Sequence, residues 1–330
     1  MLSSRMHRFP ACASIACGCL AVLGCGSSSP AGGAGVTSGV TQASIGPIPI
    51  DADVEKTVCI TKRLDNTEDL VISGYSAELA PGSHHLIVYQ STDTVENLTP
   101  TPCSPFVGLA AGDVVPLVLV NKLKISWTFP KGVGVEVPAH QMVRIEAHYI
   151  NTSQGPLMGT GTVTFQGAPK SSAPPFTPAS FFFWGTEDID IPPGARTSAG
   201  PYFQPGTANT HAVSIFTHQH EHGTGVQVWE SARPGDLSNQ IVDDTDWSNP
   251  SWELLSPQFD MNGTNGLSFK CEWYNTTTST ITFGESALDE MCFIGGYYYP
   301  GHGFDLRIPG LTDTGNPDGG ISDGGDGGSD

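Results

Sequence analysis

Three histidines stand at alternate positions in IFTHQHEHGTGVQVWE, residues 215–230: His218, His220 and His222. On a strand, alternate residues project to one face, so neighbours in this row can present two imidazoles to one point above a sheet. A second group begins with the adjacent pair His84 and His85 in APGSHHL. Adjacent strand residues point to opposite faces, so this pair can share an ion only where the backbone bends, and Pro81 and Gly82 just before it permit a bend. His148 in RIEAHYIN is the best placed third imidazole in the same half. Neutral imidazoles suit copper, zinc or iron, and a thioether separates these metals by favouring copper, above all Cu(I). Met291 in SALDEMCFIGGYYYPG offers that thioether, in a setting where methionine also serves as ordinary core. Of the other histidines among the ten, His140 and His302 stand isolated and read as surface or core residues.

The elements that must carry these side chains read as strands. Short Val, Ile, Thr and Phe runs recur between Gly and Pro turns, and no stretch has the period of an amphipathic helix. The fold class expected is all-β, built as two consecutive antiparallel β-sandwich, jelly-roll-like domains. A chain of 330 residues has room for both. HHLIVYQ, VPLVLV and VRIEAHYIN fall in a first domain over 46–168, and GAPKSSAPPFTPAS, residues 167–180, reads as the connector. FFFWGTEDIDI, HAVSIFTHQHEH and TSTITFG fall in a second domain over 181–309. The Gly/Asp tail over 310–330 has almost nothing apolar to bury and reads as disordered.

A net charge of −19 excludes nucleic acid as a partner, because phosphate binding draws on clustered Lys and Arg. Residues 1–24 carry Arg5 and Arg8 ahead of the apolar run ACASIACGCLAVLG, the pattern of a signal peptide. VLGC, ending at Cys25, resembles a bacterial lipobox, which would put a lipid on Cys25 and tether the chain to the cell envelope through a Gly/Ser-rich linker over 25–45. Cys59, Cys103, Cys271 and Cys292 then stay in the folded part of an exported chain, where three disulfide pairings are open. The two-domain split favours Cys59 with Cys103 and Cys271 with Cys292.

Taken in order, these motifs resemble the copper type II, ascorbate-dependent monooxygenases, the group of peptidylglycine α-hydroxylating monooxygenase and dopamine β-monooxygenase. HH at 84–85 resembles the family's paired histidines, and EAHYIN at 146–151 its third. DIPPGAR at 190–196 resembles the turn opening its second domain, and DEMC at 289–292 its methionine ligand beside a disulfide cysteine. The family pattern H-x6-H-x-H-x-x-G fits His211, His218, His220 and Gly223 without a gap, which selects His218 and His220 and leaves His222 as the replacement for one of them. Both favoured disulfides agree with the family's.

The resemblance implies one copper in each domain, two per chain, facing each other across a solvent-filled cleft. His218, His220 and Met291 would activate O2 and abstract hydrogen from a C–H bond of a small substrate. His84, His85 and His148 would store and deliver an electron from ascorbate or another reductant. Glu146, on the same strand face as His148, is the candidate for fixing an imidazole tautomer. Phe216 stands where the peptide-amidating branch has its carboxylate-binding arginine, so a peptide ending in glycine is not the expected substrate. Phe216, Phe293 and YYYP at 297–300 suggest an apolar or aromatic one. The alternative function is a copper-binding or copper-storage envelope lipoprotein without catalysis.

Overall fold

Residues 39–106, 109 and 112–308 are described by a computed structural model, and every regular element among them is a strand. The expected signal peptide, the lipidation site at Cys25 and the acidic tail lie outside the described residues.

The first half folds into two sheets. One runs Gly39–Ile50, Leu157–Pro169, Leu70–Leu79, Val133–Val137, Thr177–Pro178, with Lys124–Thr128 also paired to Leu70–Leu79. The other runs Asn97–Pro102, Val54–Arg63, Met142–Asn151, Ser83–Ser91, Val114–Val120, antiparallel throughout. In the second half a five-stranded sheet runs Trp252–Met261, Thr210–His218, Phe293–Tyr299, Ser180–Gly185, Asp305–Arg307. A four-stranded sheet runs Arg196–Pro205, Gly266–Tyr274, Gly223–Ser231, Asn239–Asp244. The all-β architecture is the one the alternating patterns predict.

Two boundaries differ from expectation. Residues 39–45, expected within the flexible linker, belong to the strand Gly39–Ile50, with Ala43 and Ile45 buried against its partner Leu157–Pro169. The expected connector is tied down at both ends: Leu157–Pro169 extends into it, and Thr177–Pro178 pairs in parallel with Val133–Val137. Pro and Ser content marked an irregular path there, but backbone hydrogen bonds from Lys170 to Asp69 and from Ala179 to Gly134 hold it in place.

The five-stranded sheet of the second half is apolar on both faces, and the run FFFW shows why. Successive strand residues alternate faces. Phe181 and Phe183 therefore join a core with the first half, together with Val213, Phe216, Phe293 and Tyr297. Phe182 and Trp184 join the core of the second sandwich, with Ala212, Ile215, Ile294 and Tyr298. A strand covered on both sides reads as a continuous apolar run. Gly295 makes room within this packing: a Cβ there would lie 2.4 Å from the Phe216 ring. The two halves therefore share a core, and the described residues belong to one compact unit. Tyr297 adds a polar tie across it, donating its hydroxyl to the carbonyl of Leu117 at 2.5 Å.

Both favoured disulfides are present. Cys59–Cys103 joins Val54–Arg63 to the residue following Asn97–Pro102. Cys271–Cys292 links the two sheets of the second sandwich just ahead of Phe293–Tyr299. Cross-linking residues 21 apart is worth about 3 kcal/mol through loop-closure entropy. Replacing Cys271 and Cys292 by alanine is expected to lower the unfolding free energy by about that amount in a denaturant titration. An unchanged midpoint would show that the surrounding core alone fixes the two sheets.

Candidate metal centre

The strand Ser83–Ser91 lies beside Met142–Asn151, and their register slips between Ser83 and His85. Ser83 opposes Tyr149 and His85 opposes His148, so His84 is the extra residue of a β-bulge. Gly82 leads into it at φ +84°, a conformation that favours glycine. The slip supplies the bend that the adjacent histidines require. Both rings lie near that of His148, with centroid separations of 5.2 Å for His84 and 5.1 Å for His85.

From the second half, Thr210–His218 ends at His218, which opposes Phe293. The chain then leaves the sheet and turns, with the amide of Gly223 bonded to the carbonyl of His220. His218 and His220 stay together at 5.2 Å. Because the strand stops, His222 does not continue the row. Its amide is bonded to Glu290, and among the described residues its ring joins none of the histidine contacts. His211, at the far end of the strand, bonds to Asp260 at 2.6 Å instead.

The two histidine sets are not separated by a cleft. His84 lies 5.0 Å from His218 and 5.4 Å from His220, centroid to centroid, and His85 lies 5.7 Å from His218. Five imidazoles from both halves thus form one cluster, which corrects the expected solvent-filled gap. The shared core presses the strand ends of the two halves together. His85, His148, His218 and His220 are buried and His84 is half-buried. Possible ligand atoms of His84, His85 and His218 all lie within 4.8 Å of one another.

Met291 is buried on the segment between Asp289, whose carbonyl bonds to Nδ1 of His220 at 3.1 Å, and Phe293, the partner of His218. Phe216, Phe293 and Tyr297 are buried in the shared core, so they form packing rather than the expected substrate lining.

Three carboxylates hold this centre. Glu146 bonds Nε2 of His85 at 3.0 Å and accepts from the Tyr89 hydroxyl and the Phe106 amide, each at 3.0 Å. Burial pushes its pKa up to about 7, against the pull of those bonds. It therefore serves His85, across the strand pair, and the bond to His148 comes from Glu55. Glu55 contacts Nε2 of His148 at 2.7 Å and accepts from the Ala287 amide and the Ser286 hydroxyl, each at 2.8 Å. Partial burial raises its pKa, but these bonds outweigh that and bring it down to about 2. Glu290 accepts from the amides of His220, His222 and Met291 and from the Trp273 indole. Burial raises its pKa to about 7 despite them. Glu290 stood within DEMC and could have been noticed there. Glu55 carries no local signal, because its partners lie 93 and more than 230 residues away.

Those bonds select the free nitrogens. Ionised Glu55 takes the Nε2–H of His148 and leaves Nδ1 with its lone pair, while the Asp289 carbonyl takes the Nδ1–H of His220 and leaves Nε2. Nδ1 of His85, Nδ1 of His148, Nε2 of His84 and both ring nitrogens of His218 are buried without a hydrogen-bond partner. Burial holds the imidazoles of His84, His85 and His218 well below their ordinary pKa, with neighbouring rings adding to the effect, and brings His220 down to about 4. Neutral, desolvated, unpartnered imidazoles are a donor set that suits copper, zinc or iron.

Residues 203–308 match the C-terminal domain of the copper type II ascorbate-dependent monooxygenases. The resemblance first seen in the histidine, methionine and cysteine spacings therefore holds over this part of the chain, which includes His218, His220 and Met291. No curated protein matches. Among solved structures, the chain is similar to the major capsid protein P2 of bacteriophage PM2, at 10% identity over 78% of this chain and 97% of that one, TM-score 0.30. It is also similar to a triple jelly-roll protein of an archaeal virus, at 11% identity over 81% of this chain and 60% of that one, TM-score 0.19. Neither likeness bears on function.

Replacing Glu55 by glutamine should free the His148 tautomer. Loss of such outer partners costs 10–100-fold in metal affinity. A competition titration is expected to show that loss for Glu55→Gln and none for Glu78→Gln, an exposed carboxylate paired with Lys124 and hydrogen-bonded to none of the five histidines. Equal affinities would remove Glu55 from the support of the site.

Proposed function

We propose that the protein is a copper-dependent monooxygenase that hydroxylates a C–H bond of a small molecule with O2 and an external one-electron reductant such as ascorbate. The observation that carries this reading is the cluster of five imidazoles, four of them (His84, His85, His148 and His218) with buried ring nitrogens that have no partner, together with the family match over the segment that contains His218, His220 and Met291. His84, His85, His148, His218, His220 and Met291 would hold the metal. Copper, when bound, supplies one-electron redox chemistry and activation of O2.

The chain's own residues prepare the site for that chemistry. Glu55, Glu146 and the Asp289 carbonyl orient the rings, and Glu290 holds the backbone of His220 and Met291 in one frame. Phe106 borders the cluster, 5.5 Å from the His85 ring and 6.3 Å from that of His218, and helps exclude water. Dryness there protects reactive species from solvent. The reading includes export to the bacterial cell envelope with a lipid on Cys25, and two disulfides fit an oxidising compartment.

The test is copper content of the mature protein, X-ray absorption of its reduced form, and O2 uptake coupled to product, each beside His218→Ala and Met291→Ala. Two coppers are expected from the paired sets. A single ion shared by His84, His85 and His218 is the other stoichiometry the ring positions allow. A sulfur signal lost in Met291→Ala, with O2-dependent hydroxylation abolished in both variants, is the expected result. Bound copper without an O2-dependent product would make the protein a copper-holding lipoprotein, and absence of copper would overturn both readings.

A further inference from the structure

Between Ile281–Thr282 and Phe293–Tyr299 the chain makes a short loop that closes on itself. At its base the Gly284 amide donates to the Glu290 carbonyl at 3.2 Å, and the Glu290 amide to the Thr282 carbonyl at 3.0 Å. Within it two amides return to Ser286: that of Asp289 to the carbonyl at 3.0 Å, and that of Leu288 to the hydroxyl at 3.2 Å. The closure is tight, since a Cβ at Gly284 would lie 2.2 Å from Oδ2 of Asp289. Base and tip are therefore bound to move together. At the base, Met291 follows Glu290 directly, and the Asp289 carbonyl meets Nδ1 of His220 at 3.1 Å. Burial, with His148 nearby, lowers the His220 pKa to about 4, and the backbone of Asp289, the charge of Glu55 and the backbone of Ser286 all oppose that fall.

The tip has little packing of its own. Ala287 is buried but belongs to neither hydrophobic core, and Leu288 beside it is 64% exposed. What the tip meets is Glu55, on the strand Val54–Arg63 of the first half. Its carboxylate accepts from the Ala287 amide and from the Ser286 hydroxyl, each at 2.8 Å. A buried amide requires an acceptor, and a carboxylate is a strong one. The same carboxylate contacts Nε2 of His148 at 2.7 Å. One side chain of the first half thus engages a histidine of its own half and the loop that leads into Met291.

We propose that Glu55 is a positioning residue for both halves of the centre: it orients His148 directly and, through Ser286 and Ala287, sets the loop that places Met291 and His220. The two tasks need different chemistry. His148 faces the charge, whereas the loop needs acceptor oxygen at the right place. Glutamine removes the charge and keeps one oxygen for the Ala287 amide, while alanine removes both. The roles of His148, His220 and Met291 as copper ligands rest on the monooxygenase reading; their placement does not.

The experiment is NMR of the full mature protein, stripped of metal and labelled with carbon-13 at the methionine methyls, with the Met291 resonance identified by its loss in Met291→Ala. In Glu55→Ala this resonance is expected to shift toward that of the exposed Met158, while the buried Met142 and Met261 stay unmoved. Glu55→Gln should restore the original position, and Ser286→Ala, which leaves Glu55 and every histidine in place, should give a smaller shift in the same direction. A Met291 resonance unmoved in Glu55→Ala overturns the proposal. An equal shift in Glu55→Gln also overturns it, because the effect would then run through the His148 ring and not through the loop. Should Met142 and Met261 move as well, Glu55→Ala has lost its fold and Ser286→Ala decides: a shift of Met291 alone supports the loop route, and no shift overturns it. After loading with Cu(I), X-ray absorption should show the sulfur signal kept in Glu55→Gln and lost in Glu55→Ala. The methyl resonances are read without metal, so their outcome stands apart from any failure of the protein to bind copper or to hydroxylate.

Discussion

A ring nitrogen buried away from water with no hydrogen-bond partner costs on the order of 1–3 kcal/mol, and His85, His148 and His218 all carry such atoms. Left free to rearrange, these rings would turn toward water or toward one another's protons. They are kept in place by groups that are themselves held by further hydrogen bonds: Glu146 and Glu55 each fix one imidazole, and the Asp289 carbonyl fixes a third. Glu290 performs the same service for the backbone, gathering three amides and an indole onto one carboxylate. The rings are thus pre-organised: the entropy of assembling them is met during folding, which would leave less to be lost on binding a metal ion.

Folding can supply that rigidity because the cluster sits where two cores meet. The sheet containing Phe181–Trp184 and Phe293–Tyr298 gives one face to each core, so its strands have little freedom to slide. His218 terminates one of these strands, and Met291 immediately precedes the segment that feeds another. Glu55 then ties the 286–287 segment of the second half directly to a histidine of the first. Electrostatics and packing therefore agree on one relative placement of the two histidine sets.

Much of this was legible in the chain. Alternation of Val, Ile and Phe between turn residues predicts strands, because a half-buried strand must repeat every two residues. The histidines, Met291 and both cysteine pairs were visible as types at telling spacings. Three things were not. The fate of His222 depended on a strand ending at His218, and strand ends are poorly marked where apolar and polar residues mix. Phe216 and Tyr297 looked like candidates for a substrate wall because sequence cannot say which apolar surface is covered by a neighbouring sheet. The merging of two histidine sets into one cluster depends on how the two halves dock, and contacts such as Glu55 with Ser286 span most of the chain.

The extra residue at His84 has a further meaning for how this centre tolerates change. A bulge is a phase slip in a period-two pattern, and here it lets consecutive positions serve one side of a sheet. Insertions or deletions within the paired strand Ser83–Ser91 are therefore governed by parity. Removing one residue would cancel the slip and send one of the two imidazoles through to the opposite face, whereas removing two would preserve the phase and only shorten the approach. A single-residue change of length between Ser83 and His85 should accordingly separate the paired histidines, whereas the turn at Pro81 and Gly82 lies ahead of the strand and is free of that constraint.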